Sequence, residues 1–344
     1  MYKTTILNKY NALFFVLLLI LLLFILLNIS LGSVFIPFKD VIRSILNDDE
    51  VKKTSRYIIQ NHRIPKALTA IMVGSGLSVS GLLMQTLFRN PLAGPFVLGI
   101  SSGASLGVAI LVLGSSLLGL SALVVSNYGI TIASSLGAFL VLFAVMVVAQ
   151  KVRNTMSILI IGLMFGSLTT AIISVLAYFS SAEQLQQYLF WSFGNLGNLS
   201  WHELTLFFII YSVGMFAIIF IIKPLNALLL GENYAKSLGV NLQKVRNHTL
   251  FITAILTGVI TAFSGPIAFV GLAVPHLAKL VFNSSNHKVL LPATAIIGAI
   301  VMLLSDTIAQ VPTSEFTLPI NAVTSIFGAP IVIWLLIQKT KIVL

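Results

Sequence analysis

The 344-residue chain contains no cysteine, which excludes disulfide frameworks, thiolate metal sites and cysteine nucleophiles. Charge is also scarce, because Asp, Glu, Lys and Arg make up only 8% of the residues, whereas soluble domains carry about 25%. So few ions cannot cover a water-facing surface, which excludes an ordinary cytosolic enzyme, a disordered chain and a coiled coil. The chain is instead 58% hydrophobic with a mean hydropathy of +1.04. We therefore predict an all-α polytopic membrane protein.

Ten apolar runs are candidate membrane spans, since a bilayer core needs about 20 apolar residues per helix; the seventh and eighth are short and are separated by residues 264–266. They lie at approximately 12–30, 67–87, 95–118, 131–149, 156–179, 204–222, 249–264, 267–282, 289–305 and 320–337. The longest polar stretches, 31–66 and 223–248, are too short to bury a core of their own. We predict a single transmembrane domain over residues 1–344.

The distribution of charge predicts the orientation of these spans. If both termini face the cytoplasm, thirteen of the 20 Lys and Arg residues and only one of the nine acids fall in inside loops, as the positive-inside rule requires. This also explains the net charge of +11 without a nucleic-acid partner, since no basic stripe interleaved with aromatics is present. The seven outside cations all lie in the 31–66 loop and need a separate explanation.

A break in the helices is predicted between the second and third spans. Its residues are Asn90, Pro91, Leu92, Ala93, Gly94 and Pro95. Proline disfavours helix at the residue before it and cannot donate a backbone hydrogen bond. The small residues of 99–107 that follow favour either close helix packing or a substrate-lining helix start with exposed N–H groups, and both alternatives stay open.

Further breaks are predicted at Gly265 and Pro266 and again at Pro275. The segments around Pro91 and Pro266 are faintly alike, and the assumed topology puts them at opposite faces of the membrane. Corresponding Gly/Pro interruptions of this kind are typical of inverted-topology repeats in transporters. The likeness is weak, so an inverted repeat and chance both remain possible.

The inside segment 230–241 is polar but has the spacing of a short amphipathic helix. Glu232 and Lys236 form a favourable i,i+4 pair, Tyr234 and Leu238 are also four apart, and Gly239 is a suitable helix stop. An ordinary linker would not need this spacing. We interpret the segment as a docking surface for a soluble partner.

Several motifs are missing. No P-loop occurs, so the chain does not bind ATP in that way. The five histidines lack metal-ligand spacing, and no polar cluster suits a membrane-embedded enzyme; we expect no metal site and no catalytic residue. A carrier driven by an ion gradient is the other alternative, and such carriers usually have ionisable residues inside the helix bundle. Here the acid closest to mid-span is Asp306, which lies at the end of a span. The sequence therefore argues against such a carrier.

Several motifs in a fixed order resemble the FecCD permease family, the membrane subunits of ATP-driven importers for ferric siderophores, haem and vitamin B12. The match runs from about residue 30 to the C-terminus. Its motifs lie at 63–66, 80–85, 89–95, 98–104, 231–240, 265–276, 318–320 and 328–330.

The resemblance implies a type II ABC importer permease with ten helices in the cytoplasmic (inner) membrane of a prokaryote. It implies a second permease subunit, identical or paralogous, two cytoplasmic ATPase subunits and an external solute-binding protein. Mg-ATP would bind the ATPase subunits, and this chain would hold no cofactor. The expected substrate is an iron chelate, a ferric siderophore above all, with haem or vitamin B12 as alternatives.

The resemblance also assigns roles to residues. Arg63 and Lys66 would dock the acidic residues of the binding protein, which would explain the outside cations; Gln310 stands where the family often has another cation. Coupling to the ATPases would involve Gly231, Glu232, Ala235, Leu238 and Gly239. The inner end of the path would be closed by Asn90, Pro91, Leu92 and Thr155.

Overall fold

The computed structural model describes residues 2–32, 34–46, 48, 51–115, 119, 128–152, 155–197, 199–311 and 316–342. All regular structure within these ranges is helical. The helices are α1 (Tyr2–Ser30), α2 (Phe38–Ile45), α3 (Lys53–Ile58), α4 (Ile64–Phe88), α5 (Ile100–Val112), α6 (Gly129–Lys151), α7 (Thr155–Tyr178), α8 (Ala182–Ser192), α9 (Trp201–Ala217), α10 (Ile222–Leu228), α11 (Glu232–Ser237), α12 (Leu242–Ser264), α13 (Val270–Phe282), α14 (His287–Ala309) and α15 (Ile320–Ile342). A π-helical turn, Ile59–Arg63, joins α3 to α4.

Each of the ten predicted spans overlaps a helix, although the predicted end of the third span, 116–118, lies outside the described residues. Within the described residues, seven helical stretches are long and apolar enough to cross a membrane, and shorter apolar helices occupy Ile100–Val112, Val270–Phe282 and Ile320–Trp334. The prediction of an all-α polytopic membrane protein is therefore confirmed.

The third span begins later than predicted. The sequence pattern indicates a start at residue 95, but Pro95–Leu98 forms a 3₁₀ turn and Gly99 takes the left-handed conformation with φ of 73°. An α-helix cannot run through a left-handed residue, so α5 begins only at Ile100. Apolar character alone does not reveal this because the turn residues are themselves apolar.

The predicted break at Pro275 is wrong, because α13 continues through this residue. Proline removes one backbone hydrogen bond, but membrane helices tolerate that loss where neighbouring groups compensate for it. Here the Pro275 ring is buried among neighbouring groups. A break does lie at Gly265, where α12 ends with φ of 71°.

The break before α5 and the break before α13 share a local geometry. Gly99 precedes α5 and Phe269 precedes α13, each with a positive φ, of 73° and 67° respectively. The helix that follows is 13 residues long in both cases. This correspondence is what an internal repeat would produce, and the inverted repeat remains a prediction.

The helices group into two compact units, each discontinuous in sequence. The first unit contains Met1–Val79, Asn195–Phe208 and Phe269–Leu344, and the second contains Ser80–Gly194 and Ile209–Ala268. In the first unit α14 packs against α1, α13 and α15. In the second, α5 packs against α6 and α7, and α6 also packs against α12. The single domain over 1–344 remains a prediction.

Close helix packing in the first unit depends on Gly74 of α4 and Gly298 of α14. A Cβ atom added at Gly74 would lie 2.2 Å from the Gly298 carbonyl oxygen, and one at Gly298 would lie 2.4 Å from the Gly74 carbonyl oxygen. We expect Gly298→Ala to lower the free energy of unfolding by about 1–3 kcal/mol, the usual cost of overpacking. Thermal unfolding of the purified protein in detergent measures this.

Gly258, in the middle of α12, is the matched control. A Cβ atom there would meet only the Ala138 side chain, at an ordinary contact distance of 3.9 Å. Because alanine favours helix over glycine by roughly 0.5–1 kcal/mol, Gly258→Ala should preserve or raise the unfolding temperature. Equal losses in both variants would contradict a specific requirement for glycine at the contact between α4 and α14.

Candidate functional site

The coupling segment, Gly231–Val240, forms a short helix with defined ends. Gly231 starts it with φ of 117°, a conformation that disfavours residues with a side chain. At the other end Gly239 has φ of 79°, its N–H donates to the Lys236 carbonyl at 2.9 Å, and the Val240 N–H donates to the Ala235 carbonyl at 3.0 Å. These paired bonds are those of a Schellman motif. Gly239 thus ends the helix where the sequence pattern indicates.

The side chains of α11 divide into an anchored and an exposed side. Ala235 is completely buried, whereas Tyr234 is 54% and Leu238 is 57% exposed. Glu232 and Lys236 are also exposed. None of these residues belongs to an apolar span, so the exposed tyrosine and leucine form an apolar surface on an otherwise polar segment, which is typical of an interaction site.

A cavity of about 550 Å³ lies beside α11 within the second unit. Its wall includes Glu232 and Lys236 from α11 and Arg246 from α12. The Arg246 Nη1 donates to the Val152 carbonyl at 3.2 Å, which fixes the guanidinium at the cavity wall. The cavity therefore combines charges of both signs next to the exposed apolar surface.

Arg89 connects the end of α10, just before the coupling segment, to the predicted inner gate, and the sequence motifs give no sign of this contact. Its Nη2 donates to the Leu228 carbonyl, three residues before Gly231, at 2.6 Å. Arg89 itself directly precedes Asn90 and has a positive φ of 48°, which is uncommon outside glycine. A non-glycine residue with this backbone conformation often marks a functional turn.

The gate residues form a tight turn after α4. The Asn90 Oδ1 accepts a hydrogen bond from the Leu92 N–H at 2.9 Å, and its carbonyl accepts from the Ala93 N–H at 3.1 Å. Leu92 is 44% exposed. Thr155 is the first residue of α7, but its side chain lies outside the described part of the structure.

In the first unit, the docking candidate Lys66 belongs to a polar cluster with Asp306, Asn28 and Gln310, which we call the Lys66–Asp306 cluster. The Lys66 Nζ lies 3.0 Å from Asp306 Oδ1. Asp306 Oδ2 accepts hydrogen bonds from Asn28 Nδ2 at 2.9 Å and Gln310 Nε2 at 2.7 Å. Asp306 is only 3% exposed, while the Lys66 side chain is 22% exposed. The buried carboxylate thus has one cation and two amide donors, as a buried charge requires.

Arg63 lies near this cluster but has other partners. It is buried, and its Nη1 donates to the carbonyls of Ile29 and Ser30 at 2.6 and 2.8 Å. Its Nη2 donates to the Val34 carbonyl. Arg63 therefore ties the end of α1 and the segment that follows it to the turn that leads into α4. Its docking role remains a prediction.

Asp306 and Asn28 are the members of the cluster to which the sequence analysis assigns no site role. Asn28 lies 278 residues from Asp306 in sequence, so no local pattern links them. The feature of the sequence that could have indicated this cluster is Asp306 itself, an acid near the end of a span. Ionisable residues in spans are costly and are usually paired. Within the described ranges, no three His, Asp or Glu side chains come together as metal ligands.

Comparison with known proteins agrees with this architecture. A model of the FecCD transport family matches residues 19–338. The vitamin B12 import system permease protein BtuC of Salmonella paratyphi A is 35% identical over 280 residues, covering 81% of this chain and 83% of that protein, and BtuC of Salmonella typhi matches equally well. A solved inward-facing structure of a metal-chelate type ABC transporter shows 30% identity and a TM-score of 0.80, and the alignment covers 96% of this chain and 99% of that one. This chain therefore belongs to the FecCD transport family and is an integral-membrane permease of the ABC importer type, a transport subunit rather than an enzyme.

Proposed function

We propose that this chain imports an iron chelate, most specifically a ferric siderophore, across the cytoplasmic membrane of a prokaryote, with both termini in the cytoplasm. Two permease subunits would enclose the path, and two ATPase subunits would bind and hydrolyse Mg-ATP. The observation that carries the coupling to ATPase subunits is the exposed Tyr234–Leu238 edge of a helix anchored by buried Ala235, whereas the substrate is proposed from the relatives. A rigid apolar surface of this kind suits a partner that must transmit movement.

The contacts of Arg89 suggest how such movement would reach the path. Closure of the ATPases would displace α11 and, with it, the Leu228 carbonyl that Arg89 binds at 2.6 Å. Because Arg89 adjoins Asn90, the displacement would change the turn that holds Pro91 and Leu92. The turn would then act as the inner gate, and the hydrogen bonds of Asn90 would determine its closed conformation.

We propose that the external binding protein docks at the Lys66–Asp306 cluster. Lys66 keeps part of its side chain exposed although it is paired with Asp306. A carboxylate on the binding protein would share this cation, and its attraction would orient the docking partner. Gln310, in place of a further cation, would make this contact weaker than an all-cationic site.

Two substrate classes are supported by particular relatives. The structure with a TM-score of 0.80 is described as a metal-chelate transporter, which favours an iron chelate. The Salmonella BtuC proteins at 35% identity are vitamin B12 permeases, which favours vitamin B12 as the second candidate. Choice between them would depend mainly on the binding protein, because the permease passes a large ligand without holding it tightly.

The test is uptake by proteoliposomes that contain the permease together with its ATPase and binding-protein partners. We expect accumulation of radiolabelled ferric siderophore that requires ATP and is unaffected by an uncoupler. Haem and cyanocobalamin serve as parallel substrates, and accumulation of cobalamin alone would reassign the substrate within the family. Uptake that survives ATP depletion but stops with the uncoupler would contradict the ABC mechanism and favour an ion-gradient carrier.

A further inference from the structure

Helix α2, between the first two spans, exposes large apolar side chains. Phe38, Ile42 and Ile45 are 48%, 41% and 49% exposed, and their i, i+4, i+7 spacing places them on one face. Val41 and Ser44, on the neighbouring face, are buried. One face of α2 thus holds the helix against the protein, and the adjacent apolar face is free to contact something else.

The remaining face of α2 is charged, with the two cations Lys39 and Arg43 next to the apolar face and Asp40 beyond them. Lys39 is exposed, and Arg43 lies one turn further on with its Nε 3.5 Å from Asp48 Oδ2. On a helical wheel these cations directly flank the exposed apolar face. Long basic side chains beside an apolar face reach towards headgroups while the apolar face enters the acyl region, which is the arrangement of an interfacial helix.

The apolar face of α2 also continues the exposed apolar surface of the span α1, a surface suited to contact with lipid. The exposed apolar residues of α1 extend along the whole span and are Phe15, Val16, Leu18, Leu19, Leu22, Leu23 and Leu27. After α1 ends at Ser30, the next exposed apolar side chains are Val34 and Phe35, at 57% and 59% exposure. These lead directly into Phe38, so the lipid-facing surface of α1 is prolonged by α2.

Aromatic residues indicate the depth at which α2 lies. The Ser44 carbonyl of α2 accepts a hydrogen bond from Gln60 Nε2 at 3.1 Å. The Gln60 carbonyl in turn accepts from the indole Nε1 of Trp201 at 3.1 Å, and Tyr57 nearby is 61% exposed. Tryptophan and tyrosine are enriched at the membrane–water interface. The chain of contacts therefore places α2 at that level.

We infer that α2 lies in the membrane–water interface, with Phe38, Ile42 and Ile45 inserted among the acyl chains and Lys39 directed towards phosphate headgroups. The continuity with α1 favours lipid over a protein partner. This helix would fix the position of the segment that Arg63 ties to α4. The inference is independent of the substrate and of the proposed coupling to ATPases.

Because the chain contains no cysteine, a single introduced cysteine can report on this face. We would label Ile42→Cys with an environment-sensitive nitrobenzoxadiazole dye, in the full chain assembled in nanodiscs of phosphatidylethanolamine and phosphatidylglycerol. Lys39→Cys on the charged face is the matched control. We expect the Ile42 label to be quenched severalfold more by lipids with a shallow doxyl group than by aqueous iodide. The Lys39 label should show the reverse preference.

The inference is overturned if the Ile42 label is quenched by iodide as strongly as the Lys39 label and not by doxyl lipids. Protection of the Ile42 label only after the binding protein or a second permease subunit is added would also overturn it, because the face would then be a protein interface. If the Ile42 label were quenched mainly by deep doxyl groups, α2 would lie within the membrane core, which would also contradict an interfacial position. Both substituted side chains are exposed, so folding is little affected.

Discussion

Replacing Tyr234 and Leu238 together by serine is expected to abolish ATP-driven uptake while leaving the unfolding temperature unchanged. Both side chains are more than half exposed, so their removal costs the folded chain little. In an interface, a buried aromatic or apolar anchor commonly contributes about 2 kcal/mol. Loss of two anchors should weaken ATPase binding by more than tenfold. Co-purification of the ATPase and uptake by proteoliposomes measure the two effects separately.

Tyr178 offers a matched control for this prediction. It is 83% exposed at the end of α7 and outside the coupling segment, so Tyr178→Ser removes the same kind of side chain from another surface. ATPase association and uptake should remain normal in this variant. The docking role of α11 would have to be abandoned if the double variant still bound the ATPase normally, or if Tyr178→Ser impaired binding equally.

The spans could be predicted from sequence because the signal is local and large. Long runs of apolar residues have one stable conformation in a bilayer, since every backbone polar group must be satisfied within the helix. Breaks were harder to place. Gly–Pro at 265–266 ends α12 as predicted, yet Pro275 does not end α13, because the consequence of a proline depends on the packing around it.

Residues of the candidate sites were predictable only where a motif carried them. The turn at Asn90 and the helix stop at Gly239 are encoded by neighbouring residues, which a sequence pattern can show. The pairing of Lys66 with Asp306 joins different helices and is determined by tertiary packing. The same holds for the contact between Arg89 and the Leu228 carbonyl, 139 residues apart.

Breaking the Lys66–Asp306 pair is expected to have the second large effect, a loss of folding stability. Removing one partner of a buried ion pair leaves an uncompensated charge, which typically costs 3–5 kcal/mol. We expect Lys66→Met to lower the free energy of unfolding by about 3 kcal/mol, because Asp306 would remain buried with only the amides of Asn28 and Gln310. Adding Asp306→Asn should restore most of the loss. Equilibrium unfolding in mixed detergent micelles measures both variants.

The more exposed ion pair of Arg43 and Asp48 is the control, because it tests whether the stability loss at Lys66 depends on burial of the pair. Its side chains are 32% and 37% exposed and the charged atoms are 3.5 Å apart, so Arg43→Met should cost no more than about 1 kcal/mol. If Lys66→Met proved as mild as Arg43→Met, or if Asp306→Asn failed to rescue it, the cluster would not have the energetic role that its geometry indicates.

The same variants separate a structural role of Lys66 from a docking role. In the Lys66→Met/Asp306→Asn protein the fold is restored but the cation is absent. If Lys66 contacts the binding protein directly, affinity for the loaded binding protein should stay reduced, and the difference from the unmodified protein should shrink as salt is raised, because salt screens exposed charges. If Lys66 only stabilises the fold, binding should return together with stability. We expect the first result, because Lys66 keeps part of its side chain exposed while paired with Asp306, whereas Arg63 is buried among backbone carbonyls.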